Sequence, residues 1–180
     1  MAPIKPGFPR KSATCVLFLV FLLIIKTAHG QEKLNLVSTA FAEGKAIPGK
    51  YTCAGQDVSP GFSWDGVPNG TKSFAIIMDD PDAPMGVWVH WVIYNIPDTI
   101  RVLKENFTTQ KVNAADGLND WESKGYKGPC PPDGQHRYVF KLYALDTMLN
   151  VVPDMTKYKL EDAMKGHILG VGQLKGVFQL

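Results

Sequence analysis

Two polar clusters in this 180-residue chain carry residue types that could do chemistry. In the first, Asp80 and Asp82 flank Pro81, which lacks an N–H and fixes its own φ, so the two carboxylates sit on a stiff extended turn. His90 follows eight residues after Asp82, inside an apolar run rich in Val, Ile, Trp and Tyr that reads as a buried strand. The second cluster runs from Gly128 through Pro129, Cys130, Pro131, Pro132, Asp133 and Gly134 to His136-Arg137-Tyr138. His136 and Tyr138 are two apart, so on a strand they face one way and aim an imidazole and a phenol at one place. Taken alone, Asp80 and Asp82 read as turn residues, His90 as a core histidine, and His136 and Tyr138 as a rim and a core residue. The rigid Pro-Cys-Pro-Pro-Asp-Gly stretch tips the reading towards a site that binds rather than one that moves. The two clusters are expected to meet and form one small anion pocket.

Other chemistries fit these residues less well. A zinc site wants three or four ligands at close spacing, and Asp80, Asp82, His90 and His136 show no HExxH or CxxC pattern. There is no G-x-S-x-G nucleophile elbow and no dinucleotide or P-loop glycine motif. The reading is therefore of a pocket without metal, cofactor or catalytic constellation. The Asp pair could hold His90 and His136 in place and favour their cationic forms, which predicts binding that strengthens below neutral pH.

The elements that must position these groups are mostly strands. Short strand signals surround Leu34–Val37. Phe74 to Met78 reads as a fully apolar strand leading into Asp79, and Val87 to Ile96 as a second, with Trp88, His90, Val92 and Tyr94 alternating against Val89, Trp91 and Ile93. Residues 101–127 read as a long polar loop with at most a strand at Lys111–Ala114. Tyr138 to Leu145 is a third strong strand. Thr156 to His167 is the one good helical pattern, with Leu160, Ala163, Met164 and His167 at i, i+3, i+4, i+7. Gly170 and Gly172 are expected to break it before a last strand at Leu174 to Leu180. Many strands and one late helix argue a mainly antiparallel β domain.

The first thirty residues read as a secretory signal: a basic front (Lys5, Arg10, Lys11), an apolar middle from Ala13 to Ile25, and a small-x-small cut site at Ala28-His29-Gly30. That apolar run is too short for a comfortable membrane span. Residues 31–180 then form one domain, secreted or periplasmic. Losing the leader removes four basic residues and takes the formal charge from +2 to −2, so nothing in the charge balance points to nucleic acid. Cys15 leaves with it, and the remaining Cys53 and Cys130 suggest one disulfide, two buried free thiols being the other reading. Asn69-Gly-Thr and Asn106-Phe-Thr would be glycan acceptors in a eukaryotic secretory route.

With these residues assembled, the sequence resembles the phosphatidylethanolamine-binding protein family, which includes Raf kinase inhibitor protein, and within it the bacterial and archaeal branch. Asp80-Pro-Asp-Ala-Pro84, His90-Trp91 with Asn95-Ile-Pro97, Gly128-Pro-Cys-Pro-Pro132 with Gly134, and His136-Arg-Tyr138 carry the resemblance. Asp57-Val-Ser-Pro60 with Trp64, and Gly166-His-Ile-Leu169 with Leu174 and Gly176, add to it. It implies a Greek-key β fold with a large antiparallel sheet, a smaller sheet and one or two peripheral helices. It also implies a shallow pocket for phosphate-like head groups lined by Asp80, Asp82, His90, His136 and Tyr138, beside a Gly128–Pro132 wall. The long C-terminal helix bordering the pocket in mammalian members has no counterpart here. The expected function is non-enzymatic binding of phosphate, phosphoethanolamine or similar head groups. A kinase or protease inhibitor acting by protein contact is the alternative, and a phosphoester hydrolase using Asp and His the third.

Overall fold

The computed structural model describes Met1 and residues 31–180. The expected leader lies, apart from Met1, outside the described residues. In chain order the elements are β1 (Glu32–Lys33), β2 (Asn35–Ser38), β3 (Lys45–Ala46), β4 (Phe62–Asp65), β5 (Ser73–Asp80), β6 (Trp88–Pro97), β7 (Val102–Leu103), β8 (Ala115–Asp116), β9 (Gln135–Leu145), α1 (Lys157–Met164) and β10 (Ile168–Gln179). A large sheet runs β1-β10-β9-β5-β6-β8, with β3 also on β10, and a three-stranded sheet runs β2-β4-β7. The two-residue strands β1 and β3 lie parallel to β10, and the long strands pair antiparallel. The mainly β expectation with two sheets and a peripheral helix is met.

The large sheet is covered on both faces, which explains why β5 reads as an unbroken apolar run. On one face Phe74, Ile76, Met78, Phe140 and Leu142 pack against Leu36, Phe62 and Trp64 of the small sheet. On the other, Ala75, Ile77, Val92 and Tyr94 pack against Leu160 and Met164 of α1. Each such large apolar side chain contributes about 1.5–3 kcal/mol on burial. A disulfide joins Cys53 to Cys130 with Cα atoms 5.4 Å apart, as the cysteine count suggests.

Four local expectations change. The last strand begins at Ile168, six residues earlier than the glycines suggest. Gly170 and Gly172 lie within it because a Cβ at either would come 2.9 Å from the backbone oxygen of Glu32 or Leu34; they let the N-terminal strands approach rather than break the chain. The helix starts after Thr156, whose side chain accepts from the Lys159 N–H, and stops at Met164, two residues before Gly166 at φ +80°. His167 is therefore off the helix, beside Asp146. In place of a strand at Lys111–Ala114 there is a 3-10 turn at Thr109–Lys111 followed by β8. The strict alternation expected of β6 is broken at His90, with consequences for the site.

Candidate functional site

The break is a β-bulge. Met78 pairs with Trp91 and Asp79 with Val89, so His90 is the extra residue. Val89 thereby joins Val92 and Tyr94 on the helix-covered face, instead of Trp91 and Ile93 as alternation predicts. His90 turns to the opposite face, where its ring meets Tyr138 edge-on at 5.2 Å between centroids. The loop after β8 supports the bulge in place of a strand: the Asp120 carboxylate accepts from Val89 N–H at 2.7 Å, and Asp120 N–H donates to Val89 C=O. Asp79 pairs with Val139, so the next residue, Asp80, faces the same way as Tyr138 and His136. Four side chains predicted to share a site thus arrive from the ends of three adjacent central strands.

Asp80 is the hub. Its Oδ2 accepts from His136 Nδ1–H at 2.8 Å, between side chains 5% and 6% exposed. Its Oδ1 accepts from the Asp82 N–H at 2.9 Å. His136 Nε2 is left 3.8 Å from the exposed Asp133 carboxylate, too far for a hydrogen bond. His90 donates through Nδ1–H to the Lys127 carbonyl at 2.8 Å. A carbonyl can only accept, so that nitrogen carries the proton and Nε2 holds a lone pair in the neutral ring. Burial pushes the His90 pKa down, outweighing the neighbouring carbonyl and Asp80 that push it up. His90 is therefore a neutral imidazole at neutral pH, and the expectation that a carboxylate pair makes it more cationic does not hold: its ring partner is a carbonyl. The Tyr138 hydroxyl is buried close to the Asp80 carboxylate and the Cys130 backbone but makes no hydrogen bond of good geometry. Burial, then the Asp80 carboxylate, raise its pKa far above the usual range, so it remains a protonated donor.

A cleft of about 320 Å³ opens beside Asp80 and His90, while His136 and Tyr138 are buried behind them and do not line it. Asp80 and His90 line it, with Trp88 and Trp121, the Ala83–Met85 turn, and Cys130 and Pro132 opposite. Trp121 touches both Trp88 and His90 edge-on, at 5.3 and 4.9 Å. A larger groove of about 760 Å³ follows residues 33–43 and 173–175, but it carries no histidine and no buried carboxylate. Of the two, the smaller cleft is the one lined by buried titratable groups, Asp80 and His90.

The other predicted residues fall elsewhere. Asp82 turns outward, its carboxylate taking Arg137 Nε and Nη2 at 2.8 and 2.5 Å and the Arg137 N–H at 2.9 Å. Arg137 holds the Asp82 carboxyl down at about 2. Gly128, Pro129 and Pro131 are buried and do not line the cleft; a Cβ at Gly128 would come 2.3 Å from the Tyr51 carbonyl oxygen. The lining side of that wall is Cys130 and Pro132. Asn69 and Asn106 are exposed. Sequence reasoning missed Met85 and Trp121 as lining residues. Trp88 did carry a signal, through its alternation with His90; Trp121, in an aperiodic loop, carried none. Among the described residues no group of three or more His, Cys, Asp or Glu is arranged to hold a metal ion.

Comparison with known proteins bears on this geometry. The family model described as phosphatidylethanolamine-binding protein matches residues 37–179. A UPF0098 protein of Methanothermobacter thermautotrophicus is 48% identical over 149 residues, covering 81% of this chain and 99% of the relative. A UPF0098 protein of Aquifex aeolicus is 43% identical, covering 81% of this chain and 88% of the relative. The crystal structure of a phosphatidylethanolamine-binding protein homologue from Chlamydia trachomatis superposes with a TM-score of 0.78 at 40% identity, over 82% of this chain and 98% of that one. That of E. coli YbcL, described as a member of the mammalian family, superposes with a TM-score of 0.76 at 30% identity, over 82% and 99%.

Proposed function

The chain belongs to the phosphatidylethanolamine-binding protein family, bacterial and archaeal branch, and from that premise we propose that its cleft binds the phosphate of a small phosphomonoester or head group, without catalysis. Family membership supports a binding or regulatory role in general. The observation that carries the finer reading is the buried Asp80–His136 pair at the cleft's edge, with Asp80 and His90 lining the cleft and the Tyr138 hydroxyl packed behind them. Leaving a buried donor unsatisfied costs about 1–3 kcal/mol, and a ligand oxygen that reaches the Tyr138 hydroxyl past Asp80 would offset that cost.

The polar groups select the form of the anion. Tyr138 donates. His90 Nε2 accepts, so it suits a proton on the phosphate itself or an ammonium such as that of phosphoethanolamine. The Asp80 carboxylate repels a dianion and is offset only when His136 is cationic. A phosphate carrying one proton fits best, and because a phosphomonoester takes up that proton near pH 6, binding strengthens below neutral pH through the ligand rather than through His90. The cleft's cysteine is tied up in the disulfide, which removes it as a nucleophile and supports a non-enzymatic reading. That bridge also supports an oxidising location, secreted or periplasmic. No helix among the described residues is long and apolar enough to cross a membrane. Exposed Met85, Val87 and Trp121 around the mouth favour a second reading, in which a protein partner such as a kinase or protease docks over the cleft.

The test is an NMR titration of the protein with inorganic phosphate and with phosphoethanolamine, alongside His136→Ala. Saturable shifts at His90, His136 and Tyr138 that weaken at least about tenfold in the variant are expected. No shifts at tens of millimolar ligand would overturn the reading.

A further inference from the structure

We propose that Asp57 is a positioning residue for the cleft, fixing the orientation and tautomer of His90 through the peptide unit between Lys127 and Gly128. The proposal rests on the cleft being the binding site but concerns a residue outside it. Asp57 adopts φ 53°, in the left-handed region that costs a non-glycine residue about 1 kcal/mol or more and is best tolerated by Asn and Asp. Its carboxylate uses that conformation to reach the loop beside His90. Oδ1 accepts from the Gly128 N–H at 2.6 Å, and Oδ2 lies 3.4 Å from the exposed Lys127 ammonium.

The same peptide group is engaged at both ends. Its N–H, on Gly128, points at the Asp57 carboxylate, and its C=O, on Lys127, accepts the His90 Nδ1–H at 2.8 Å. A full negative charge at the N–H end polarises the amide and strengthens its oxygen as an acceptor, since linked hydrogen bonds reinforce one another. The result is a carboxylate acting on an imidazole with a peptide interposed. Lys127 N–H also donates to the His90 C=O at 3.1 Å, so ring and backbone of the bulged residue are held by one neighbour.

The surroundings leave this relay little room to move. A Cβ at Gly128 would come 2.9 Å from Asp57 Oδ1 as well as against Tyr51, so only glycine allows the approach. The Tyr126 hydroxyl donates to the Tyr51 carbonyl at 2.8 Å, Cys53 N–H donates to the Pro129 carbonyl, and the Cys53–Cys130 bridge closes the same pair of segments. Without the relay, either His90 nitrogen can carry the proton, and the Nε2 acceptor offered to the cleft becomes a mixture of acceptor and donor.

Three variants test this. Asp57→Gly adopts the left-handed backbone without a Cβ penalty and removes only the carboxylate. Asp57→Asn keeps an oxygen for the Gly128 N–H, and Lys127→Ala removes the ammonium while keeping the carbonyl. The readout in ligand-free protein is the pair of His90 ring 15N shifts at neutral pH, which separate the Nδ1–H and Nε2–H tautomers, with thermal unfolding as the control for folding. Asp57→Gly is expected to turn a single Nδ1–H pattern into a mixed one, Asp57→Asn, which keeps the oxygen without the charge, to move it part of the way, and Lys127→Ala to retain it. With inorganic phosphate as probe, Asp57→Gly is expected to bind about tenfold more weakly, the effect of one charge-assisted hydrogen bond. Unchanged His90 15N shifts in a folded Asp57→Gly protein would overturn the proposal. A changed tautomer with no phosphate binding in any form would uphold the relay and refute the phosphate reading, so the two failures are distinct.

Discussion

Asp79 and Asp80 are neighbours at the end of β5, and they face opposite sides of the large sheet. Asp79, 2% exposed, looks towards the helix and is met by two ammonium groups, Lys141 Nζ at 2.7 Å and Lys157 Nζ at 2.8 Å. Asp80, 3% exposed, looks towards the cleft and is met by an imidazole. With two lysines on one carboxylate, the Asp79 cluster is a clamp that ties α1 to β5 and β9. The imidazole leaves its second nitrogen without a hydrogen bond, and Asp80 itself lines the cleft, so the Asp80 cluster can exchange hydrogen bonds with something that enters. Side-chain type does not separate a structural carboxylate from a functional one here. The strand's two-residue period, together with the bulge opposite, does.

The largest effect that would sharpen the contrast is Asp79→Ala. It leaves Lys157, the buried first residue of α1, with only the more exposed Glu161 carboxylate at 4.0 Å, and stability is expected to fall by about 3–5 kcal/mol in urea unfolding, with phosphate affinity retained where the protein stays folded. An equal loss of affinity would dissolve the distinction between the faces. Next is the acid response of the cleft side. Because burial lowers the His90 pKa in the folded state, that residue's neutral form is favoured on folding, and its contribution is present above the unfolded value near 6.5 and lost as pH falls below it. The slope from this one group is at most about 1.4 kcal/mol per pH unit, and His90→Gln should flatten the unfolding-against-pH curve there. The smallest effect is Arg137→Ala. The Asp82–Arg137 pair sits at the surface, with Arg137 59% exposed, so its loss should cost no more than about 1 kcal/mol. Its signature is the Asp82 carboxyl, which NMR should find moving up from about 2 towards 3.8; the pair's stability is present above the higher value and lost as pH falls through the lower. Phosphate affinity should hardly change, since Asp82 faces away from the cleft.

Much of the site was legible because it lies on strands. Tyr138 and His136 share a face by simple spacing, and the apolar runs around Met78 and Val92 place their strands centrally. Asp82 escaped that logic because it lies past the end of β5, where local geometry decides: its N–H turns back to Asp80, while its carboxylate meets Arg137, which alternation sends away from His136 and Tyr138. The bulge at His90 has no mark in an evenly apolar run, since it is set by pairing with Asp120 and Lys127 far along the chain. Trp121 was illegible for the same reason, its loop being ordered by tertiary contacts such as the Asn119 side chain bonding Trp121, Ser123 and Gly125. Gly170 and Gly172 misled because a glycine that permits close strand approach is indistinguishable, in one sequence, from one that ends a helix.

If the Tyr138 hydroxyl is held for a ligand rather than for the fold, Tyr138→Phe separates the two roles. The change removes only the buried, unpartnered hydroxyl, so two quantities should separate. The free energy of unfolding without ligand is expected to stay level or rise slightly, while affinity for inorganic phosphate falls about tenfold. A variant that loses more than about 1 kcal/mol of stability while binding phosphate as well as the parent would show that the hydroxyl serves the fold, and the account of the cleft would be wrong.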